Sequence, residues 1–287
     1  MKRDLIKGNV TASLLLFACP MILGNLLQQL YNIVDTWVVG RFVGADALAA
    51  VGSAYSLMTF LTSVLIGLCM GSGALLSYYS GRGDERKLRS CMMSSFVLVG
   101  LISLGLNLLV FVLKDPILYL LRIPEELFDL MGRYVSIVFV GIFFVFLYNF
   151  FAFVLRAVGN SVVPLVFLGL ASVMNVVLDV YFVLGLNAGL EGAAWATVAA
   201  QVFSGVGLGI YTWVKEPRFR FSLREFLAEE KPLGEILRFS VVTSAQQSVM
   251  NFGILMIQGL VNSFGKSVMA ATATAATVKS RRLKEPW

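Results

Sequence analysis

Apolar runs of membrane-spanning length recur along this chain, and no other feature limits its fold so tightly. A helix that crosses a bilayer needs about 20 mostly apolar residues. A soluble core has no need of several unbroken runs of that length. Hydropathy places spans at 12–40, 49–79, 88–113, 131–155, 162–184, 191–214 and 236–264. Within hydrocarbon the backbone must satisfy its own polar groups, so runs of this kind are read as helices. The expectation is an all-α integral membrane protein with seven spanning helices. Composition agrees, because charged residues make up 14% of the 287 and the mean hydropathy is +0.82, against about 25% charged in soluble domains.

The breaks between spans carry turn chemistry. They include Gly81-Arg82-Gly83-Asp84, Lys114-Asp115-Pro116 with Ile123-Pro124, Gly159-Asn160, and Gly185 to Gly189. A longer charged break runs from Glu216 to Gly234, and Ser222 to Glu230 within it could form a short surface helix. Basic residues alternate by loop. One set holds Lys2, Arg3 and Lys7, then Arg82, Arg86, Lys87 and Arg89, then Arg156, then Lys215, Arg218, Arg220, Arg224 and Lys231. The other holds Arg41, Lys114 and Arg122. The positive-inside rule then predicts a multi-pass protein of the cell membrane with a cytoplasmic N-terminus. The first apolar stretch is too long for a signal peptide and is read as the first span. Lys279, Arg281, Arg282 and Lys284 conflict with this topology, since seven spans would put them outside.

The net charge of +6 comes from these loops, so the expected partner is the membrane lipid surface and not nucleic acid. The chain has no His, which removes imidazole catalysis and histidine metal sites. Cys19, Cys69 and Cys91 lie far apart in or beside apolar runs and read as buried thiols. No enzyme, cofactor or resident metal is expected. Gly67-Leu-Cys-Met-Gly71 with Ser72 and Gly73 predicts close helix approach. The fourth span's phenylalanines, from Phe139 to Phe153, read mostly as lipid-facing bulk.

Polar groups inside hydrocarbon are costly, so their placement is informative. In the first span Asn25, Gln28, Gln29, Asn32, Asp35 and Thr36 share one helical stripe. Such a stripe faces partner helices or a wet cavity. The amides alone fit interhelical bonding equally well, whereas a carboxylate points to function. In the fifth span Ser172, Asn175 and Asp179 share a face. Thr197, Gln201 and Ser204 do so in the sixth, and Asn149 is a lone amide among aromatics in the fourth; both patterns fit packing. The last span carries its own stripe of Ser244, Gln247, Ser248, Asn251, Gln258 and Asn262. Its end, Gly265 to Ala271, echoes Gly44 to Ala50, a faint internal repeat.

Leu27-Gln-Gln-Leu-Tyr-Asn-Ile-Val-Asp35, followed by Val39 to Gly52, resembles the first span and loop of the multidrug and toxic compound extrusion (MATE) family. Arg156 to Asn160, Asn175 to Asp179 and Gly192 to Thr197 resemble later motifs of that family, in order, nearest the bacterial branch of DNA-damage-inducible exporters. The resemblance implies a six-helix N-terminal lobe at 1–215, a cytoplasmic inter-lobe loop at 216–235, the first helix of a second lobe at 236–266, and an aberrant tail at 267–287. It implies antiport of cationic, often aromatic, compounds against protons or sodium, with a cation site at Asp35, Asn149, Asn175, Asp179 and Thr197. Gln28, Gln29, Asn32 and Gln201 are candidate substrate-cavity residues. The family's seventh-span proline has no counterpart near Val241 to Thr243, and the chain is much shorter than family members, which implies a truncated protein. A lipid-linked precursor flippase and a non-transporting fragment are the alternatives. Self-association of two copies is a further expectation.

Overall fold

The computed structural model describes residues 10–219 and 232–282, with side chains left aside at 10–13, 219 and 276–282. The predicted surface helix at 222–230, the basic residues Lys2, Arg3, Lys7, Arg220, Arg224 and Lys231, and the tail's Lys284 lie outside the described residues. The described residues are almost wholly helical, with no strand among them. Among the described residues ten α-helices follow in order: α1 (Val10–Val38), α2 (Ala45–Arg82), α3 (Glu85–Val112), α4 (Lys114–Leu120), α5 (Glu125–Val140), α6 (Ile142–Ala157), α7 (Val162–Asp179), α8 (Gly189–Lys215), α9 (Leu233–Asn262) and α10 (Lys266–Arg282). Helices α1 and α7 each continue into a π-helical turn, at Val39–Val43 and Val180–Gly185.

Among the described residues six helical segments are long and apolar enough to cross a membrane: 14–43, 45–82, 85–112, 125–157, 162–185 and 189–215. Each contains or overlaps one of the first six expected spans. Helix α9, the expected seventh, is a helix of 30 residues that falls outside that set. The serines and amides it turns toward α2 dilute its apolar content. Helix α4 is a further difference. The stretch after Lys114 reads as a turn because of Asp115 and Pro116, yet proline is tolerated in a helix's first turn, and a short helix forms.

The turn signals work as their chemistry dictates. Gly83 takes φ of 69°, closing α2 in the left-handed conformation. Asp84 follows as the cap of α3, its side chain accepting from the Lys87 backbone N–H at 3.1 Å. At the next such corner the Asn160 N–H reaches back to the Leu155 carbonyl at 2.9 Å, around Gly159 at φ of 82°.

Helix α8 packs on α5, α6 and α7, while α2 packs on α3, α6 and α9, so two long helices organise the bundle. The aromatic fourth span is not lipid-facing bulk. Phe139, Phe146, Phe150 and Phe151 are buried, and Phe96 of α3 meets Phe146, Phe150 and Phe151 at 5.3 to 5.9 Å between ring centres. This span is enclosed by α2, α3 and α8, so its rings have protein to pack against on several sides. Of the cysteines, Cys69 and Cys91 are buried as expected, but Cys19 is exposed on α1. Arg133 of α5 lies at an exposed position paired to Asp129 at 2.6 Å and Glu191 at 3.4 Å.

The glycines of α2 allow the close approach expected of them, and the partner is α9. A Cβ on Gly71 would lie 2.5 Å from the Ser240 Cα, and one on Gly67 would collide with Ser244. The α9 stripe is bonded to α2 along its length. Ser72 and Ser240 meet at 3.1 Å, Thr243 donates to the Gly67 carbonyl at 2.6 Å, and Ser244 to the Val64 carbonyl at 3.1 Å. Farther along, Ser53 donates to Asn262 at 2.8 Å, and the Asn262 amide donates to the Leu121 carbonyl at 2.8 Å.

Candidate functional site

Two carboxylates are buried where α1, α7 and α8 meet. Helices α1 and α7 pack side by side, and α8 covers α7. Asp35 sits near the end of α1, one turn before its π-helical segment, and is 9% exposed. Asp179 is the last α-helical residue of α7, immediately before the second π-helical segment, and is fully buried. The two lie within each other's electrostatic field. A wide π-helical turn inside or beside an α-helix breaks the usual register and recurs at functional sites. Here one follows each carboxylate, and the two turns touch.

Asn175 completes the α7 side. It is one turn before Asp179 and buried. With its amide oriented to satisfy both ends, it donates to Asp179 Oδ2 at 2.9 Å and accepts from the Thr197 backbone N–H at 3.2 Å. Thr197, on α8, is buried beside it. Tyr31 of α1 lies near Thr197 of α8. Tyr31 precedes Asp35 by one helical turn and so faces the same way. Tyr134 of α5 is buried within the field of both carboxylates.

Among the described residues one oxygen of each carboxylate, Asp35 Oδ1 and Asp179 Oδ1, is buried with no hydrogen-bond partner. An unpartnered buried carboxylate oxygen is strongly unfavourable, and two charged carboxylates facing each other add repulsion. The donor set is all oxygen plus one amide, with no thiol or imidazole. It fits a hard monovalent cation or a proton, not a transition metal. Among the described residues no group of three or more His, Cys, Asp or Glu could hold a metal ion.

Four of the five expected cation-site residues therefore come together: Asp35, Asn175, Asp179 and Thr197. The fifth, Asn149, turns its amide back along its own helix, donating to the Val145 carbonyl at 2.9 Å. Of the candidate cavity residues, Gln28 and Gln29 are exposed and Asn32 is half-buried. Gln201 presents a buried, unpartnered Oε1 against Gly141, at the break between α5 and α6. Ser172 shares the Asp179 face yet donates back to the Leu168 carbonyl at 2.8 Å. Tyr31 and Tyr134 escaped the sequence reading. Tyr31 was legible, since it lies at i−4 from Asp35. Tyr134 was not, because nothing local links it to residues on α1 and α7.

A family model described as MatE matches residues 20–181. Over 268 residues the chain is 33% identical to the probable multidrug resistance protein YpnP of Bacillus subtilis (strain 168), covering 93% of this chain and 60% of that protein. It is 26% identical to the multidrug export protein MepA of Staphylococcus aureus (strain NCTC 8325 / PS 47), over 92% of this chain and 59% of that one. The chain thus spans about 60% of the length of these curated relatives. The inward-facing structure of a multidrug resistance MATE family transporter of the MOP superfamily shares its fold, with a TM-score of 0.80 at 24% identity, over 88% of this chain and 57% of that one. An outward-facing structure of such a transporter does so with a TM-score of 0.78 at 21% identity, over 96% of this chain and 66% of that one. The site lies largely inside the matched segment, and on the strength of that match the chain belongs to the MatE family.

Proposed function

We propose that this chain serves multidrug efflux as a secondary transporter, exporting cationic or aromatic small molecules in exchange for protons or sodium. The observation that carries the reading is the buried Asp35–Asp179 pair with an unpartnered oxygen on each carboxylate. A proton or sodium ion entering there neutralises charge that the bundle itself leaves uncompensated. Asn175 holds Asp179 in place through its amide, and the Thr197 and Tyr31 hydroxyls supply neutral oxygens beside it. Because Asp35 is on α1 and Asp179 on α7, occupancy by a cation draws these helices together. Loss of the cation leaves two negative charges that push them apart. That is the element by which ion binding moves α1.

Membership of a family with multidrug-resistance relatives supports the substrate class, and the exposed amides Gln28 and Gln29 on the same helix are suited to a wet cavity beside the pair. Loop charge supports a plasma-membrane protein with its N-terminus in the cytoplasm. Helix α9 reads as the start of a second lobe. Alternating access takes two halves moving about a shared site, and two associated copies would supply both. The test is efflux of a fluorescent cationic dye from vesicles carrying the wild-type chain, Asp35→Asn or Asp179→Asn. Gradient-driven efflux lost in both variants supports the reading. Equal efflux by all three refutes it.

A further inference from the structure

The seam between α2 and α9 is built differently at its two ends. Toward the Arg82 end it is closed by backbone contact at Gly67 and Gly71 and by the hydroxyls of Ser72, Ser240, Thr243 and Ser244. Past these, the neutral Tyr79 hydroxyl donates to Glu235 at 2.7 Å. At the Asp46 end the closing contact is ionic. Lys266 opens α10 and reaches Glu126 of α5 at 2.6 Å and Asp46 of α2 at 3.7 Å.

A lysine in the first turn of a helix opposes the helix dipole, whereas acids there are favoured. Asp46 and Glu126 lie in the first turns of their own helices and suit their places. Lys266 does not suit its own, and its position is repaid only across the gap, by carboxylates from two other helices. The hydrogen bond to Glu126, then the charge of Asp46, holds the Lys266 ammonium above the ordinary lysine range. The turns concerned are the faint sequence repeat, and both place a glycine at positive φ before the helix, Gly44 at 126° and Gly265 at 88°.

We infer that Lys266, Asp46 and Glu126 form an ionic latch that closes the Asp46 end of the α2–α9 seam, while the opposite end is held by backbone packing over glycine and by hydroxyl hydrogen bonds. The inference rests on α9 crossing the membrane beside α2. Exposed ion pairs weaken as salt screens them, and hydroxyl-to-carbonyl bonds over glycine do not. The Asp46 end therefore opens more readily with ionic strength, and the Arg82 end does not. Inside the latch lie Ser53, Ser56, Gln258 and Asn262, already bonded to one another. They become accessible when it releases.

The experiment uses the full chain in vesicles, in a Cys19→Ser background, with Ser56→Cys as a probe for a membrane-impermeant maleimide. Lys266→Gln is expected to speed labelling about two- to fivefold at low potassium chloride and to abolish its acceleration by high salt. Lys266→Glu combined with Glu126→Lys is expected to restore the original rate. A second variant, Ser72→Cys with Ser240→Cys, reports the seam independently by forming a disulfide when a thiol oxidant such as copper phenanthroline is added. If that disulfide forms but labelling ignores both salt and Lys266→Gln, the latch is overturned and the seam stands. If the disulfide does not form, the placement of α9 fails and the latch with it.

Discussion

Asn175 is the residue on which the site's order turns. Its amide is donor to Asp179 and acceptor from the α8 backbone at once, a two-sided role no other residue type of that size fills. Asn175→Ala leaves Asp179 Oδ2 buried without a donor, which costs about 1–3 kcal/mol. The expected outcome is a lower melting temperature in detergent, whereas Asn149→Ala, which removes a bond within one helix, costs little. Equal losses in the two variants would mean that Asn175 has no special place. At this scale the sequence was legible where chemistry is local. Asp35 and Asp179 stood out because carboxylates are expensive in hydrocarbon, and Asn175 because it shares the Asp179 face. Tyr134 did not, since its role depends on α5 reaching the other helices, a contact that no periodicity within α5 records. Gln28 and Gln29 share the Asp35 stripe, but a helix stripe is wider than the buried contact, and its rim remains exposed.

Elements here begin and end for reasons that can be broken one at a time. Gly83 is held at φ of 69°, where a side chain costs roughly 1–2 kcal/mol, and Asp84 caps the helix that follows. Gly83→Ala and Asp84→Ala are each expected to destabilise the α2–α3 corner by about 1 kcal/mol, seen as faster hydrogen exchange at the first turn of α3 and none at α7. Gly71→Val is a harsher change. Its Cβ would lie 2.5 Å from the Ser240 Cα, so α9 must move off α2. The expected loss is about 1–3 kcal/mol, with failure of the Ser72–Ser240 cross-link; Gly81→Ala, whose Cβ would meet open space, is expected to change neither. The six apolar spans could be read directly, because a run of that length has one solution in lipid. Helix α4 could not, because proline reads as a breaker until its position in the first turn is known. Helix α9 was found by its stripe, but whether it faces lipid or protein is decided by α2, whose contacting residues lie 156 to 209 positions away in the chain and so leave no local signal.

At the scale of the whole molecule, the proposed ion site and the proposed latch lie in different groups of helices. The centre lies between α1, α7 and α8, and the seam between α2 and α9, with the aromatic fourth span packed between α2 and α8. The function proposed for this protein depends on Asp35 and Asp179 together binding the coupling cation. That binding is tested most directly on the purified chain by measuring proton uptake with a pH electrode and sodium binding with tracer ion, in the wild type and in Asp35→Asn and Asp179→Asn. Saturable, mutually competitive binding of the two cations, or binding of protons alone, is expected in the wild type and is expected to be lost in both variants, with each variant still folded and inserted. Binding of the same stoichiometry in all three proteins would contradict it.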